Sequence, residues 1–568
     1  MIRIHTTFTM ICVVISIILT VSMKTDSASE IHPVVFDRFE YTGEDITAES
    51  PLEEGQYRNP ILAGFHPDPS ICRVGNDYYL INSTFEYFPG LPIFHSTDLV
   101  NWKQIGHVIH RPEQLDFRNR RVSAGLFAPA ITYHEGLFYV VCTKIDGPGN
   151  FVVTAENPAG PWSDPTPLGF GGIDPSIFFD DDGTAWIVYN DAPEGEPLYN
   201  GHRAVWIQQF DPINREMADS RTLLINGGVD LSRKPIWIEG PHIYKLNGWY
   251  YLCCAEGGTS TQHSQVIFRS KKVDGPYEPW DKNPILTQRD LRGDVPGAVT
   301  CTGHADLVIG PDGNWWAVFL AVRPYKDGLS PMGRETFLLP VTWTDDDWPV
   351  ILPAGERVAL VGKSPDGVKI QDSSTAPLNG SFTWSDDFQQ KDLSLEWIML
   401  REPQDVWWKV NTEEGYLELT PRSEALTGNG NPSYLGRRVR HPVYTATLSA
   451  GVPQNEGVSA GLALFMNERH HYFLAVQREG DKTRLYLEKV EGRDVSRMAE
   501  VELPSMDEID LRVATDKDVS SFQYRPKAGE WETLVDDADA TIISYTVRDG
   551  MFLGATVGPH VRIDGSIE

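Results

Sequence analysis

The sequence of 568 residues is poor in cysteine and in basic side chains, and it contains no long segment of helical periodicity. None of its six cysteines has the spacing of a metal site or a disulfide framework. The formal net charge of −30 argues against nucleic acid and other polyanions as partners, because their binding relies on clustered Lys and Arg. We therefore expect a neutral ligand. We expect most of the cysteines beyond the N-terminal region to be small buried residues on strands, and they are Cys72, Cys142, Cys253, Cys254 and Cys301.

The N-terminal region has the pattern of a secretory signal. Arg3 precedes an apolar run from Phe8 to Met23, which is short for a membrane span, and small polar residues follow it. This pattern predicts a signal peptide over residues 1–29, cleaved near Ser27 to Ser29, and thus a secreted or periplasmic protein without a membrane partner. An uncleaved anchor is the alternative interpretation.

One pattern recurs five times along the chain. Each copy has a Pro or Ala, an apolar stretch, a turn built on Gly, Asn or Asp, and a run rich in Tyr, Trp, Phe and Val. The copies are HPDPSICRVGNDYYL from His66, FAPAITYHEGLFYVV from Phe127, IDPSIFFDDDGTAWIV from Ile173, EGPHIYKLNGWYYLC from Glu239 and GHADLVIGPDGNWWAV from Gly303. Such segments predict β-hairpins, and their repetition at this period is typical of propeller blades. We predict an all-β protein with a five-bladed β-propeller over residues 57–345.

The composition changes after the last repeat. Ser, Asp, Gly and Pro are frequent in residues 358–380, and we place a linker over residues 346–380. Short alternating strands with frequent turn signals follow. This pattern predicts a β-sandwich over residues 381–568, without an acid cluster of its own.

Ionisable residues occupy matched positions in the repeats. The residue before the aligned Pro or Ala is Asp68, Ala128, Asp174, Gly240 or His304, and Glu239 stands one step before Gly240. Because the innermost strand of each blade lines the central channel, we expect these positions to converge on one pocket. Each residue alone has a plain structural explanation, since Asp-Pro often opens a turn and a histidine can be a satisfied core residue. Their matched positions favour a common site of three carboxylates and a histidine.

Converging carboxylates and a neutral ligand together predict hydrolysis of glycosidic bonds. That reaction needs one protonated carboxyl to assist the leaving group and one ionised carboxylate to activate water or attack carbon. Nearby like charges help to separate their pKa values. A non-catalytic carbohydrate-binding propeller is the alternative from another class, but it has no need of three converging acids. The residues alone leave inversion and retention of the anomeric configuration open.

Seven segments resemble glycoside hydrolase family 43, and in particular its β-xylosidases with a C-terminal concanavalin-like sandwich. They are NPILAGFHPDPSI, STFEYFPGLPIFHSTDLVNW, FAPAI, GGIDPSIFFDDDG, IEGPHIYKLNGWYYL, TGHADLV and MGRETFLLPVTW. The resemblance covers nearly the whole mature chain. It implies that Asp68 is the general base, that Glu239 is the general acid, and that Asp174 tunes and positions the acid. It also implies inversion in a single displacement.

The resemblance implies a sugar-binding pocket as well. Arg334 and Thr259 would be polar contacts to the sugar, while Phe85 and Phe127 would be apolar walls. His304 would lie in the channel near the sugar, where a structural calcium ion could be held through water, and no cofactor would be required. Phe552 of the sandwich would close the pocket and favour attack at chain ends.

The expected activity is therefore that of an exo-acting β-xylosidase, which releases xylose from the non-reducing ends of xylo-oligosaccharides. An α-L-arabinofuranosidase or a bifunctional enzyme is the nearest alternative, because the two sugars present similar hydroxyl arrangements to one pocket. The expected partner is a xylo-oligosaccharide or an oligosaccharide derived from arabinoxylan. The sequence leaves the oligomeric state open.

Overall fold

The computed structural model describes residues 31–46, 51–365, 377–527, 529–544 and 552–565, and these residues form antiparallel sheets. The described residues include no α-helix and three 3-10 helices, at Pro112–Gln114, Leu231–Arg233 and Ala540–Ile543. None of the helices in these ranges could cross a membrane. The predicted signal peptide, residues 1–29, lies outside the described residues, as do residues 366–376 of the predicted linker.

The predicted five-bladed propeller is confirmed, because five antiparallel sheets of at least four strands each follow one another along the chain. In order from the innermost strand outwards, blade 1 contains Ser70–Val74, Asp77–Ile81, Gly90–Ser96 and Lys103–Ile109, and blade 2 contains Leu126–His134, Leu137–Lys144, Gly149–Ala155 and Thr166–Pro167. In the same order, blade 3 contains Ile173–Phe179, Ala185–Asp191, Ala204–Asp211 and Glu216–Asn226, and blade 5 contains Thr300–Ile309, Trp315–Val322, Glu335–Trp343 and Pro349–Val350. Blade 4 contains Glu239–Leu246, Trp249–Glu256, Ser264–Ser270 and Glu278–Pro279, and a short fifth strand, Leu286–Thr287, pairs with its third strand.

Burial in the blades explains their sequence pattern. The second strand of blade 2, Leu137–Lys144, is buried at every position but the first, because neighbouring blades cover both of its faces. Such strands read as continuous apolar runs. The outer strand Glu216–Asn226 is mostly exposed and polar. The turns between the first two strands of the blades contain a glycine with positive φ, as the hairpin interpretation requires, for example Gly136 and Gly248.

The predicted β-sandwich is also confirmed and consists of two sheets. The first sheet contains, in spatial order, Trp408–Asn411, Tyr416–Leu419, Val34–Glu44, Val443–Gly451, Glu508–Asp516, Val519–Pro526 and Glu532–Asp539, with Phe382–Asp386 also paired to Val34–Glu44. The second contains Ser433–Tyr434, Thr556–Ile563, Val458–Asn467, His470–Glu479, Lys482–Glu491 and Asp494–Pro504, with Arg437–Arg438 paired to Thr556–Ile563.

Three segments outside the expected propeller and sandwich limits take part in the sheets. Val34–Glu44 precedes the propeller in the chain, yet it forms a central strand of the sandwich. Within the predicted linker, Val361–Lys363 pairs with Gln56–Arg58, and Pro349–Val350 is the outer strand of blade 5. This strand therefore joins the segment that precedes the propeller to the C-terminal domain.

The propeller and the sandwich share a continuous interface. Tyr87–Phe88 of blade 1 pairs with Met399–Leu400 from the sandwich side, and apolar residues of both domains pack in one core. Buried arginines add polar links: Arg438 donates to the Phe65 carbonyl at 3.0 Å, and the Arg401 backbone N–H donates to the Glu86 carbonyl at 2.9 Å. The sandwich is thus held firmly against the side of the propeller near blades 1 and 2.

The described cysteines agree with the expectation from their spacing. All five are free thiols; Cys142, Cys253, Cys254 and Cys301 are buried, whereas Cys72 is partly exposed. Among the described residues no disulfide stabilises the fold, so its stability rests on packing and hydrogen bonds.

Candidate active site

A repeated backbone feature directs polar side chains into the propeller channel. Asp68, Asp174 and His304 each precede the aligned Pro or Ala, and each has a left-handed backbone conformation, with φ of 51°, 54° and 53°. In blades 2 to 5 the innermost strand also has an irregular register at this place. A bulge re-aims the side chain next to it. Because a left-handed conformation costs a residue other than glycine about 1–3 kcal/mol, such residues gather at functional sites.

Blade 4 uses the same backbone conformation but a different residue for its charge. Gly240 occupies the left-handed position with φ of 56°, and a Cβ atom there would lie 2.9 Å from the His304 ring. Only glycine therefore fits beneath the histidine. The acidic side chain of this blade comes instead from the preceding residue, Glu239, at the start of the innermost strand.

All nine side chains predicted for the site line one cavity of about 220 Å³. They are Asp68, Phe85, Phe127, Asp174, Glu239, Thr259, His304, Arg334 and Phe552. The structure therefore brings together carboxylates from blades 1, 3 and 4, a histidine from blade 5 and an aromatic residue from the sandwich. Ala128, Ile173, Trp237 and Gly258 complete the lining.

The Asp68 carboxylate is surrounded by groups that stabilise its negative charge. Arg334 Nη1 donates to Oδ1 at 2.9 Å, and Ser83 Oγ donates to Oδ2 at 2.6 Å. Burial raises the pKa of Asp68, but the Arg334 charge, His304 and the Ser83 hydrogen bond together outweigh burial and lower it. Asp68 is therefore ionised at neutral pH.

Glu239 and Asp174 have the opposite electrostatic environment. Burial raises the pKa of Glu239 well above its usual value, and the charges of Asp174 and Asp68 raise it further, against the weaker effects of Arg334 and Arg203. Burial and the Asp68 charge raise the pKa of Asp174 to about 8, although the Gly240 N–H donates to its Oδ2 at 3.2 Å. The cavity thus holds one ionised carboxylate beside carboxyl groups that retain protons.

His304 is a neutral residue beside Asp68 in this cluster. Burial lowers its pKa to about 4, and its Nδ1 lies 4.0 Å from Asp68 Oδ1. The ring can therefore donate or accept a hydrogen bond without adding a positive charge. In the part of the chain that the structure describes, no group of three or more His, Cys, Asp or Glu side chains could hold a metal ion. Calcium held through water at His304 stays a prediction, and no step below uses a metal.

Three aromatic rings form one wall of the cavity. The rings of Phe85 and Phe552 are stacked at 5.6 Å, and the edge of Phe127 meets Phe85 at 5.0 Å and Phe552 at 5.7 Å between ring centroids. Thr259 lines the cavity with a polar side chain. An apolar wall together with polar hydrogen-bonding groups suits the faces and hydroxyls of a sugar ring.

The sandwich supports the site through its backbone as well as through the Phe552 ring. The Phe552 carbonyl accepts a hydrogen bond from Arg334 Nε at 3.1 Å, and its N–H donates to Ser123 Oγ at 2.9 Å. Gly554 and Gly333 allow the two backbones to meet, since a Cβ atom on Gly554 would lie 2.5 Å from the Met332 backbone. The sandwich therefore helps to orient Arg334 and, through it, Asp68.

Two further residues contribute to the site without having been predicted from the sequence. Trp237 lines the cavity, and the Arg203 guanidinium lies 4.4 Å from the centroid of its ring. Trp237 lies two residues before Glu239, at the start of the innermost strand of blade 4. Its place next to a predicted site residue could have indicated that it lines the pocket. Arg203 lies in a loop of blade 3 and had no such signal.

Known proteins resemble this chain over both of its domains. Residues 57–349 match the model described as Glycosyl hydrolases family 43, and residues 385–561 match the Beta xylosidase C-terminal Concanavalin A-like domain. The chain is 38% identical over 517 residues to a xylosidase/arabinosidase of Butyrivibrio fibrisolvens, and the alignment covers 89% of this chain and 96% of that relative. It is 37% identical over 527 residues to a non-reducing end alpha-L-arabinofuranosidase of Bacteroides ovatus, and the alignment covers 90% of this chain and 93% of that relative.

A solved structure has the same architecture along nearly the whole chain. The crystal structure of a family 43 glycoside hydrolase retrieved from a capybara gut metagenome aligns with a TM-score of 0.87 and 42% identity, covering 94% of this chain and 100% of that chain. Both domains, and not the propeller alone, are therefore shared. The chain belongs to glycoside hydrolase family 43, and it is an enzyme that hydrolyses O-glycosidic bonds.

Proposed function

We propose that this protein is an exo-acting, inverting β-xylosidase that removes xylose from the non-reducing ends of xylo-oligosaccharides. The proposal rests on one observation, which is that the carboxyl groups of one buried cavity differ in their protonation. Asp68 is held ionised by Arg334, while Glu239 retains its proton through burial and neighbouring carboxylates. An acid and a base prepared in this way are what glycoside hydrolysis needs.

In the proposed reaction Asp68 accepts a proton from a water molecule as the water attacks the anomeric carbon. Glu239 gives its proton to the glycosidic oxygen, so that the leaving sugar departs as a neutral alcohol. Above its pKa of about 8 Asp174 becomes ionised, and its negative charge then helps Glu239 to keep its proton. Arg334 stays hydrogen-bonded to Asp68 throughout, and it lines the cavity in which the sugar would bind.

The shape of the cavity supports attack at chain ends. Phe552 reaches in from the sandwich and stacks on Phe85, so the aromatic wall closes one side of the pocket. A sugar chain that must end at this wall presents its terminal residue to the carboxylates. An internal linkage would need a cleft open at both ends.

An α-L-arabinofuranosidase side activity is the second candidate. It is favoured by the names of two relatives, one a xylosidase/arabinosidase and the other a non-reducing end alpha-L-arabinofuranosidase. A panel of aryl β-xylosides and aryl α-L-arabinofuranosides, compared by kcat/KM, tests the preference. We expect the higher value for the β-xyloside, and a higher value for the arabinofuranoside would reverse the assignment.

Proton NMR of the first sugar released tests the stereochemistry. Direct displacement by water gives the α-anomer from a β-xyloside. Initial appearance of the β-anomer would indicate a covalent intermediate and would make Asp68 a nucleophile. Glu239→Gln should bind xylobiose but release no xylose, and unchanged turnover by that variant would remove Glu239 from the reaction.

We also propose that the mature protein is exported, as the apolar run near its N-terminus indicates. Fractionation of a bacterial host that expresses the full chain, with N-terminal sequencing of the product, checks this. A mature chain beginning near residue 30 outside the cytoplasm is the expected result, and an intact N-terminus would contradict it.

A further inference from the structure

Trp237 is held in a strained backbone conformation at the edge of the active site. Its φ of 53° is left-handed, which is a genuine outlier for a bulky side chain. Hydrogen bonds fix this segment from two loops: the Trp237 N–H donates to the Gly201 carbonyl at 2.9 Å, and the Gly257 N–H donates to the Ile236 carbonyl at 2.8 Å. Such strain persists only where the surrounding structure imposes it, and it is typical of functional sites.

The Trp237 side chain contributes to the active-site cavity and not to the packing of a core. It is half-buried and lines the cavity. Among the described residues, the apolar cores of the propeller and the sandwich do not include it. Glu239 follows two residues later in the same segment. An aromatic ring is therefore presented to the ligand space beside the proposed acid.

Arg203 adds polar donors to this ring. Its guanidinium lies 4.4 Å from the centroid of the Trp237 ring. Within the described ranges, this guanidinium forms no ion pair and no hydrogen bond, so its N–H donors are available to a ligand. Its charge also acts on Glu239 and opposes the effects that raise the pKa of that carboxyl. An aromatic ring with hydrogen-bond donors beside it suits a neutral sugar.

The reaction would place the leaving sugar on this side of the cavity. Glu239 gives its proton to the glycosidic oxygen, and that oxygen departs with the leaving sugar. The wall of Phe85 and Phe552, which would bound the terminal sugar, comes from blade 1 and the sandwich. Trp237, in contrast, belongs to the segment that carries the acid. A sugar bonded through the protonated oxygen would therefore lie next to Trp237.

We propose that Trp237 and Arg203 bind the leaving sugar and select a pyranose ring on that side of the scissile bond. The proposal rests on the proposed function, because it takes Glu239 as the acid. The pyranose would pack on the part of the Trp237 ring that faces the cavity, and Arg203 would donate to its hydroxyls. The enzyme would then prefer xylo-oligosaccharides to xylosides of small alcohols.

The test compares xylobiose with methyl β-xyloside. Both substrates have leaving groups that need protonation, but only xylobiose has a leaving sugar. In Trp237→Ala, kcat/KM should fall about tenfold more for xylobiose than for methyl β-xyloside, because apolar contact is lost only with the leaving sugar. Trp237→Tyr keeps an aromatic face and should recover most of that loss. Arg203→Gln should lower the ratio of the two kcat/KM values by about threefold, as loss of a hydrogen bond would.

Trp249→Ala is the matched control. Trp249 is also a half-buried residue of blade 4 with a guanidinium beside its ring, since Arg269 lies 4.3 Å from the ring centroid, but it does not line the cavity. This variant should keep the wild-type ratio, and thermal unfolding checks the folding of every variant. An equal loss for both substrates in Trp237→Ala would mean that the ring only positions Glu239 or contacts the terminal sugar. That result, or no loss for either substrate, would overturn the proposal.

A second comparison distinguishes failure of this proposal from failure of the proposed function. If wild type hydrolyses neither xylobiose nor methyl β-xyloside, the β-xylosidase assignment fails. The site for the leaving sugar is then tested with methyl α-L-arabinofuranoside and with xylobiose that carries one α-L-arabinofuranosyl branch. A larger loss for the branched xylobiose in Trp237→Ala would support the site, and an equal loss for both substrates would reject it.

Discussion

Arg334 lies 2.9 Å from Asp68 and is buried with it, so the charge of the proposed base depends on one guanidinium. The same guanidinium donates to the Phe552 carbonyl. A propeller residue that orients the base is therefore itself held by the sandwich. This relationship gives the C-terminal domain a direct part in the chemistry, beyond the closure of the pocket by an aromatic ring.

Replacing Arg334 should alter the pH dependence of the reaction. Arg334 is the strongest of the influences that lower the pKa of Asp68, so Arg334→Met should raise that pKa. The acid limb of the kcat/KM profile should then move to higher pH, because Asp68 must be ionised to accept a proton. We also expect kcat/KM at the optimum to fall by about 100-fold or more. Pre-steady-state or steady-state profiles on an aryl xyloside measure both effects, and an unmoved acid limb would contradict the link.

Asp174 should control the other limb of the profile. Asp174 becomes ionised above its pKa of about 8, and after burial its charge is then the largest influence that raises the pKa of Glu239. Asp174→Asn removes that charge and should lower the pKa of Glu239, so that the basic limb moves to lower pH while the acid limb is little changed. The loss of kcat/KM should be larger for substrates with poor leaving groups, because these leaving groups need protonation most. A basic limb at its wild-type position would show that Asp174 acts only by packing.

The ring and the backbone of the Phe552 segment can be tested separately. Phe552→Ala removes the aromatic wall but keeps the carbonyl that holds Arg334, so binding of short xylo-oligosaccharides should weaken by roughly 1–3 kcal/mol without a shift of the acid limb. Gly554→Val forces side-chain atoms against the Met332 backbone and should displace that carbonyl. We expect this variant to weaken binding and also to move the acid limb to higher pH.

The thermal unfolding of Phe552→Ala and Gly554→Val is measured as a control for folding. Ser123→Ala provides a milder change, because it removes only the hydroxyl that accepts from the Phe552 N–H. It should lie between wild type and Gly554→Val in both binding and pH profile. Identical pH profiles for all three variants and wild type would show that the sandwich backbone does not orient Arg334.

Asp306 should be essential for closing the propeller ring. Its carboxylate in blade 5 accepts from Ser70 Oγ and the Ile71 N–H of blade 1, at 2.8 and 2.9 Å, and from Tyr244 Oη of blade 4 at 2.7 Å. In the described part of the chain, blades 1 and 5 do not exchange a strand. Asp306→Ala leaves three donors in the interior without their acceptor and should destabilise the protein by about 3 kcal/mol.

Denaturant unfolding followed by tryptophan fluorescence measures this loss. Asp182→Ala is the matched control, since Asp182 accepts a hydrogen bond only within an exposed hairpin turn. We expect little change for the control. An Asp306 variant as stable as wild type would mean that apolar packing alone closes the ring.

The sequence by itself determined the propeller, its five blades and the residues that meet in its channel. Hairpins are local structures, and their turn residues and apolar runs lie within one short segment. The repetition then equates positions on different blades, so Asp68, Asp174 and His304 could be assigned to one pocket before any distance was known. Glu239 was found for the same reason, although its blade has Gly240 at the equivalent position.

Only the tertiary structure decided how these residues are charged and what holds them. The bond from Arg334 to Phe552 joins residues 218 positions apart through a backbone carbonyl, which has no signature in the sequence. The sequence does not assign the strand Val34–Glu44 to the sandwich. Its alternation of apolar and polar residues fits any half-buried sheet, and its partner strand lies some hundreds of residues away. The opposite pKa shifts of Asp68 and Glu239 likewise depend on burial and on the distance to one guanidinium, and these quantities exist only in the folded chain.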